Sequence, residues 1–130
     1  GQASFATYSD ERIKQNIQDG DLGLDFINLL KPRKYNKVNP AKYPDSIKNP
    51  SDGVDSNGDE QEWTDAQANK VWDGLIAQEV KEAMDACETS YSGWREKKNS
   101  KQVLEYETLV VPLIKAVQEL SARVEELESK

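Results

Sequence analysis

The segment "VVPLIKAVQELSARVEEL", residues 110–127, carries the clearest secondary-structure pattern in the chain. Its apolar residues recur at alternating intervals of 3 and 4, which is the heptad pattern of a coiled-coil helix. Valine occupies one core position of the repeat and leucine the other: Val110, Leu113, Val117, Leu120, Val124 and Leu127. Pro112 falls in the first turn, where a helix tolerates proline. The sequence therefore predicts a long C-terminal helix over residues 109–130.

Two interpretations of this helix are open. The helix either packs on the chain's own domain or associates with further copies of the chain through the six core residues, which we call the seam. The seam runs for nearly three heptads, about 30 Å at 1.5 Å per residue, which is longer than the contact that a small domain offers. We therefore expect self-association, and the alternation of valine and leucine favours two strands in simple parallel coiled coils.

The composition limits the class of protein. A chain of 130 residues suits one domain with a modest core. Charged residues make up 32% and the net charge is −7. Nucleic acid is therefore not an expected partner, because phosphate contacts need a basic patch. Since no stretch is apolar enough for a membrane span or a signal peptide, no membrane partner is expected either.

The chain contains no histidine and a single cysteine, Cys87. These counts exclude Ser-His-Asp catalysis, histidine-based zinc sites and an internal disulfide, so acid–base chemistry falls to carboxylates, lysine or tyrosine. The acidic loop at 55–62 departs from an EF-hand, which needs glycine at position 6 and glutamate at position 12, where this chain has Glu60 and Ala66. We expect no metal and no cofactor, and we interpret Cys87 as a buried or incidental thiol.

The remaining pattern predicts an α+β fold, a small domain of helix, strand and hairpin. The predicted elements are a helix over 24–32 that ends at Pro32, a strand over 33–38, a strand over 71–77, a helix from about Gln78, and a β-hairpin over 91–106 with its turn near Asn99 and Ser100. Within the helix from Gln78, the side chains of Val80, Ala83 and Met84 are predicted to be buried.

Residues 39–70 lack the apolar periodicity of a core element. They hold three of the five prolines, together with Gly53 and Gly58, and few aliphatic side chains. We predict a long insertion that projects from the domain as an arm, with a short turn of helix within 63–70.

The segment "YSDERIKQNI", residues 8–17, predicts a helix over 9–19. Ser9 is a favourable N-cap, the two acids that follow it suit the first turn, and Ile13 and Ile17 lie four residues apart on one face. On this interpretation the serine is an ordinary capping residue.

The same segment also suits a nucleophile and its base. The Ser9 hydroxyl adjoins the Tyr8–Ser9 bond, and amide N–H groups at a helix N-terminus would stabilise an oxyanion on the Tyr8 carbonyl. Without histidine the nearby base is Lys14, which must first become neutral. A free lysine has a pKa of about 10.4, so this requires burial or a neighbouring cation such as Arg12. Five residues are about 140° around a helix, so Lys14 of a neighbouring chain is an alternative base.

Four stretches, in this order, together resemble one known family. They are "SDERIKQNI" (9–17), "LDFINLLKPRKYNK" (24–37), "GLIAQEVKEAM" (74–84) and "LEYETLVVPLIKAVQELSARVEEL" (104–127). Each motif is weak alone, but the four in register are similar to the C-terminal intramolecular chaperone domain of phage tailspikes and tail fibres, the auto-processing family of endosialidase type.

The resemblance implies a homotrimer, in place of the dimer that the valine and leucine alternation favours. It implies a chaperone that folds and trimerises an upstream β-rich fibre of the same polypeptide and then cuts itself off, as a single-turnover serine endopeptidase. The scissile bond would be Tyr8–Ser9, with Ser9 as the nucleophile and Lys14 as the general base. Asp10 and Arg12 match the motif and would assist the site.

The resemblance also implies an organisation of the chain. Residues 1–8 would be the end of the upstream fibre, 9–108 the chaperone domain with the arm inserted at 39–70, and 109–130 the helix of a trimeric coiled coil. The chain would act in the host cytoplasm during virion assembly and be absent from the mature virion. Two alternatives stay open: a non-enzymatic trimerisation or interaction module, and a monomeric ligand-binding domain whose seam folds back on its own sheet.

Overall fold

The computed structural model describes residues 6–130 and has the predicted mixture of helices and strands. The predicted upstream segment 1–8 thus lies outside the described residues except for its last three. In chain order the elements are α1 (Leu24–Leu29), β1 (Arg33–Tyr35), α2 (Asp65–Asn69), β2 (Trp72–Gly74), α3 (Ala77–Ala86), β3 (Trp94–Glu96), β4 (Gln102–Leu104) and α4 (Val110–Glu128), with 3₁₀ turns at Glu11–Ile13, Pro40–Lys42 and Tyr106–Leu109. The α+β fold class is confirmed.

The strands form two small antiparallel pairs. In the first pair, β1 runs beside β2 with Lys34 opposite Asp73. Both strands are shorter than the predicted 33–38 and 71–77. The pairing of β1 with β2 ends after Tyr35. Beyond it, the Asn36 side chain, instead of a backbone amide, donates to the Lys70 carbonyl at 2.9 Å.

The second pair is the predicted hairpin. Its strands β3 and β4 are joined by a turn that closes with a hydrogen bond of 2.9 Å from the Lys97 amide to the Lys101 carbonyl. Ser100 lies in the turn with φ of 68°, in the left-handed region that tight turns require. The predicted turn near Asn99 and Ser100 is confirmed.

The core lies where α1, α3 and the residues before β3 meet. It consists of Phe26, Val80, Ala83, Met84 and Tyr91, which are all buried. The ring centroids of Phe26 and Tyr91 lie 5.5 Å apart, a normal separation for an aromatic pair. The predicted burial of the three α3 residues is confirmed, and α3 begins one residue before the predicted Gln78.

The C-terminal helix has two different faces. One face packs on α1 and buries Pro112 and Ala116. On the same side Glu119 accepts a hydrogen bond of 3.3 Å from the Leu24 amide. A Cβ atom at Gly23 would lie 1.8 Å from the Glu119 carboxylate, so a side chain at position 23 would displace this carboxylate. The long helix itself is confirmed.

The other face of α4 carries the seam. Its six side chains are 45–67% exposed, so the interpretation in which the seam folds back on its own domain is wrong for this chain. The domain is instead held by the Pro112 and Ala116 face. Residues 121–130 are exposed throughout, because the helix extends past the body of the domain.

The helix predicted over 9–19 is wrong. The structure has a single 3₁₀ turn at Glu11–Ile13. Its N-cap is Asp10, whose side chain accepts from the Arg12 amide, so Ser9 is not the capping residue.

Burial explains why the helix does not continue. Ile13 and Ile17 are 65% and 73% exposed, and tertiary packing of an apolar face supplies most of the stability of short helices. Asn16 has φ of 54°, which is outside the helical region. The chain therefore has no helix or strand between Lys14 and α1.

The arm at 39–70 is mostly irregular. The predicted short helix within 63–70 is confirmed as α2, with a capping box between Thr64 and Gln67. The arm also contacts the hairpin turn: the Asn99 side chain donates to the Ile47 carbonyl at 3.3 Å, and the Lys101 amine lies 4.7 Å from the Tyr43 ring centroid. The two exposed segments are thus joined to each other.

Candidate functional site

The predicted serine and lysine are in contact. The Lys14 amine donates a hydrogen bond of 2.6 Å to the Ser9 hydroxyl of the same chain. Both side chains are exposed, and Tyr8, on the other side of the Tyr8–Ser9 bond, is 93% exposed. A serine, a lysine and an accessible peptide bond therefore lie together within seven consecutive residues.

The local backbone explains this contact. In a fully extended chain, five residues span about 16 Å, which would separate the two side chains. The 3₁₀ turn at Glu11–Ile13 shortens this path, and extended backbone at Asp10 and Lys14 flanks it. The predicted angular separation of about 140° assumed an α-helix and is wrong, because the intervening residues form a tighter turn.

Asp10 and Arg12 form the second pair of the turn. The Arg12 guanidinium donates to both carboxylate oxygens of Asp10, from Nε at 3.0 Å and from Nη2 at 2.8 Å. These hydrogen bonds lower the pKa of the Asp10 carboxyl and raise the pKa of the Arg12 guanidinium. The charge of Arg12 is balanced by its neighbour, so the expected role of Arg12 as a free cation beside the lysine is not supported.

Three amide groups at the turn donate to acceptors within the turn and its cap. The Arg12 amide donates to the Asp10 carboxylate at 2.8 Å, the Ile13 amide to the Asp10 carbonyl at 3.1 Å, and the Lys14 amide to the Glu11 carbonyl at 3.1 Å. These three donors are therefore not directed at the Tyr8 carbonyl. The expectation that amide groups at this turn would stabilise an oxyanion on the Tyr8 carbonyl stays a prediction, to which these three amides do not contribute.

A charged cluster that the sequence did not single out lies between β1 and α3. The Glu79 carboxylate accepts from Arg33 at 3.0 Å and 2.6 Å, and the Lys31 amine lies 3.9 Å away. The hydrogen bonds from Arg33 lower the pKa of the Glu79 carboxyl. Glu79 belongs to the "GLIAQEVKEAM" segment, so the signal was present in the motif, but no local pattern indicated its partner 46 residues away. The cluster ties the first sheet to α3.

The two other groups considered in the sequence are the Cys87 thiol and the acidic loop at 55–62. Cys87 is a half-buried free thiol at the end of α3. In the acidic loop, the Asp55 carboxylate accepts the amides of Asn57 and Asp59, each at 2.9 Å. Within residues 6–130 there is no cluster of three or more side chains suited to a metal ion, and none of the helices is both long and apolar enough to cross a membrane.

The fold and the site together define a small α+β domain with a serine–lysine pair near its start and a long helix with an exposed apolar face at its end. A family model described as chaperone of endosialidase matches residues 9–87. The match covers more than half of the chain and begins at Ser9. The chain belongs to this family, and the predicted resemblance is confirmed. The description of the family supports an intramolecular chaperone associated with an upstream fibre domain. The short name of the family, Peptidase S74, also places it among peptidases. No curated protein matches the chain.

Proposed function

We propose that this domain is an intramolecular chaperone that trimerises, folds an upstream β-rich fibre or tailspike, and then releases itself by cutting the Tyr8–Ser9 bond. The observation that carries the proposal is the hydrogen bond of 2.6 Å between the Lys14 amine and the Ser9 hydroxyl. It occurs at the first residue of a match to a chaperone family that also carries a peptidase name.

The proposed reaction proceeds in two steps. The Ser9 Oγ attacks the carbonyl carbon of Tyr8, and its proton passes to the neutral amine of Lys14. Lys14 then gives this proton to the amide nitrogen of Ser9 as the C–N bond breaks, which leaves an ester between the two residues. Water hydrolyses the ester, so Tyr8 ends as a carboxylate and Ser9 carries a new amino terminus.

Assembly is the proposed trigger. Both side chains of the pair are exposed in the single chain, and burial is a general means of keeping an amine neutral near physiological pH. We propose that a trimer built on the seam covers the turn and removes water from it. The chaperone would then stay attached until the fibre has three chains in place.

The exposed part of α4 supports the trimer. Short isolated helices are marginal in water, and most helical stability comes from packing of an apolar face. Residues 121–130 have no such packing within the described chain, yet they continue the seam with Val124 and Leu127. Association of the seam with neighbouring copies supplies the missing contacts.

We retain the proposed organisation of the chain: residues 1–8 as the end of the fibre, 9–108 as the chaperone domain and 109–130 as the coiled-coil helix. We also propose that the domain acts in the host cytoplasm during virion assembly and is absent from the mature virion. The partners are two further copies of the chain and the upstream fibre.

The test is the intact mass of a longer precursor that includes upstream fibre sequence. The parent precursor should yield a product that begins at Ser9, whereas the Ser9→Ala and Lys14→Ala precursors should stay whole. Ser56→Ala and Lys98→Ala change an exposed serine and lysine elsewhere and should be processed like the parent. Processing of Ser9→Ala at the parent rate would refute the proposed chemistry.

A mixing experiment tests whether the lysine acts within its own chain. The contact in the structure joins two residues of one chain, so Ser9→Ala and Lys14→Ala precursors expressed together should both stay uncut. In a three-fold ring with random mixing, a lysine from the neighbour would instead process about half of the Lys14→Ala chains. Product from those chains would assign the base to a neighbouring copy.

The second candidate function is a non-enzymatic trimerisation module. The exposed seam favours it, because association through α4 does not require Ser9. It predicts a stable oligomer from which no product is released, with the same mass for the parent and the Ser9→Ala precursor.

A further inference from the structure

We propose that Asp10 and Arg12 are a positioning pair with two tasks: they close the turn that brings Lys14 to Ser9, and Arg12 keeps the Asp10 carboxylate away from the lysine. The inference rests on the proposed function and assigns the two residues separate, measurable roles in it.

The first task follows from the hydrogen bonds of Asp10. Its Oδ1 accepts from the Arg12 amide at 2.8 Å and from the Arg12 Nε at 3.0 Å, and its Oδ2 accepts from Nη2 at 2.8 Å. One carboxylate thus fixes both the main chain and the side chain of the residue two positions ahead. Since bidentate pairs of this kind have a defined geometry, they restrict the path that the chain takes towards Lys14.

The turn depends on these bonds because no other element supports it. Within the described residues, Glu11–Ile13 contacts no other helix or strand, and all three residues are exposed. Its geometry therefore comes from its own backbone bonds and from the Asp10–Arg12 pair. A reaction that needs Lys14 on Ser9 proceeds in proportion to the fraction of chains in which the turn is closed.

The second task follows from the charges around the lysine. The turn contains the charged side chains of Asp10, Glu11, Arg12 and Lys14, and no other element packs against it. Arg12 donates to both oxygens of the Asp10 carboxylate. The Lys14 amine therefore donates to the Ser9 hydroxyl and not to this carboxylate. Without Arg12, the freed carboxylate would lie four residues from the amine and would favour its charged form, which cannot accept a proton.

The two tasks predict different pH profiles for cleavage of Tyr8–Ser9 in the longer precursor, measured on denaturing gels between about pH 6 and 10. Asp10→Ala opens the turn and should slow cleavage about tenfold on the plateau above the midpoint. Because it also leaves the Arg12 guanidinium unpaired beside the lysine, the midpoint should move down, opposite to the shift expected for Arg12→Ala. Arg12→Ala should move the midpoint up by about one pH unit, because it releases the carboxylate. The double variant Asp10→Asn/Arg12→Ala should return the midpoint to the parent value.

Several outcomes would overturn the inference. Arg12→Ala with an unmoved midpoint refutes the shielding task, and Asp10→Ala cleaved at the parent rate refutes the closing task. Recovery of the midpoint in the double variant is the result that a merely structural role would not produce. The oligomeric mass of each variant should equal that of the parent, because the proposed association is through the seam and, within the single chain, the turn contacts no other helix or strand.

The same series separates this inference from the proposed function. If Ser9→Ala and Lys14→Ala precursors are cleaved like the parent, the proposed function fails. If both stay whole while the Asp10 and Arg12 variants match the parent in rate and midpoint, the positioning role alone fails.

Discussion

Replacement of Val117 by alanine tests the seam through two effects of opposite sign. Val117 lies at the middle of the seam and is 60% exposed in the single chain. Alanine has a higher helix propensity than valine, by roughly 0.5 kcal/mol, so the substitution should leave the isolated helix as stable as before or more so. In the proposed trimer the same substitution removes buried apolar surface. Association should therefore weaken even though the helix improves.

The magnitude follows from the exposed fraction. Full burial of a valine side chain is worth roughly 1.5 kcal/mol, so covering the exposed 60% is worth about 1 kcal/mol per chain. Three copies lose about 3 kcal/mol, which is roughly a hundredfold in the association constant of the trimer. Because that constant varies as the inverse square of the midpoint concentration, a hundredfold loss should raise the midpoint about tenfold.

Sedimentation or light scattering over a dilution series measures this midpoint. The matched control is Val111→Ala, since Val111 lies on the same helix, is 62% exposed and is not part of the seam. The control should keep the parent midpoint. Equal midpoints for the two variants, or the mass of one chain at every concentration of the parent, would refute the argument.

Two further predictions concern the stability of the domain. Hydrogen bonds from Arg33 lower the pKa of Glu79, so the stabilisation from this pair should be complete above the ordinary value of 4.5 and be lost as the pH falls through the lowered pKa. The urea midpoints of the parent and Glu79→Gln should therefore converge between about pH 7 and about pH 3. A difference that stays constant over this range would contradict the prediction. Gly53 and Gly58 have φ of 71° and 85°, so alanine at either position should lower the free energy of unfolding by roughly 1–2 kcal/mol. Gly53→Ala should be the more destabilising in thermal unfolding, because its Cβ would lie 2.2 Å from the Ala41 amide nitrogen whereas Gly58 faces open space. Equal destabilisation by the two variants would mean that the arm is not packed at Gly53.

The sequence predicted the elements whose pattern is repeated or strongly punctuated. The heptads of α4, the apolar spacing of α3 and the turn at Asn99 and Ser100 each gave the correct element. In α3 the local preference and the tertiary contacts agree, as in the buried side chains of Val80 and Met84. Such consistency is what makes a local pattern reliable.

The start of the domain could not be predicted in the same way. Ser9 and Asp10 are both favourable caps, and the pattern cannot choose between adjacent positions. Asp10 caps the turn because its carboxylate also binds the Arg12 guanidinium. The contact of Ser9 with Lys14 was inferred from chemistry and family resemblance, whereas helical geometry argued against it. The partner of Glu79 was missed because it depends on tertiary structure.

The turn from Ser9 to Lys14 has a consequence for the order of events during folding. All of its contacts join residues at most five positions apart, and short loops of this kind close within about 100 ns. The pair can therefore meet long before α1 and α3 pack, and far sooner than three chains can encounter one another. In the proposed reaction, the time of release is therefore set by the encounter of the chains, because the turn forms before that encounter.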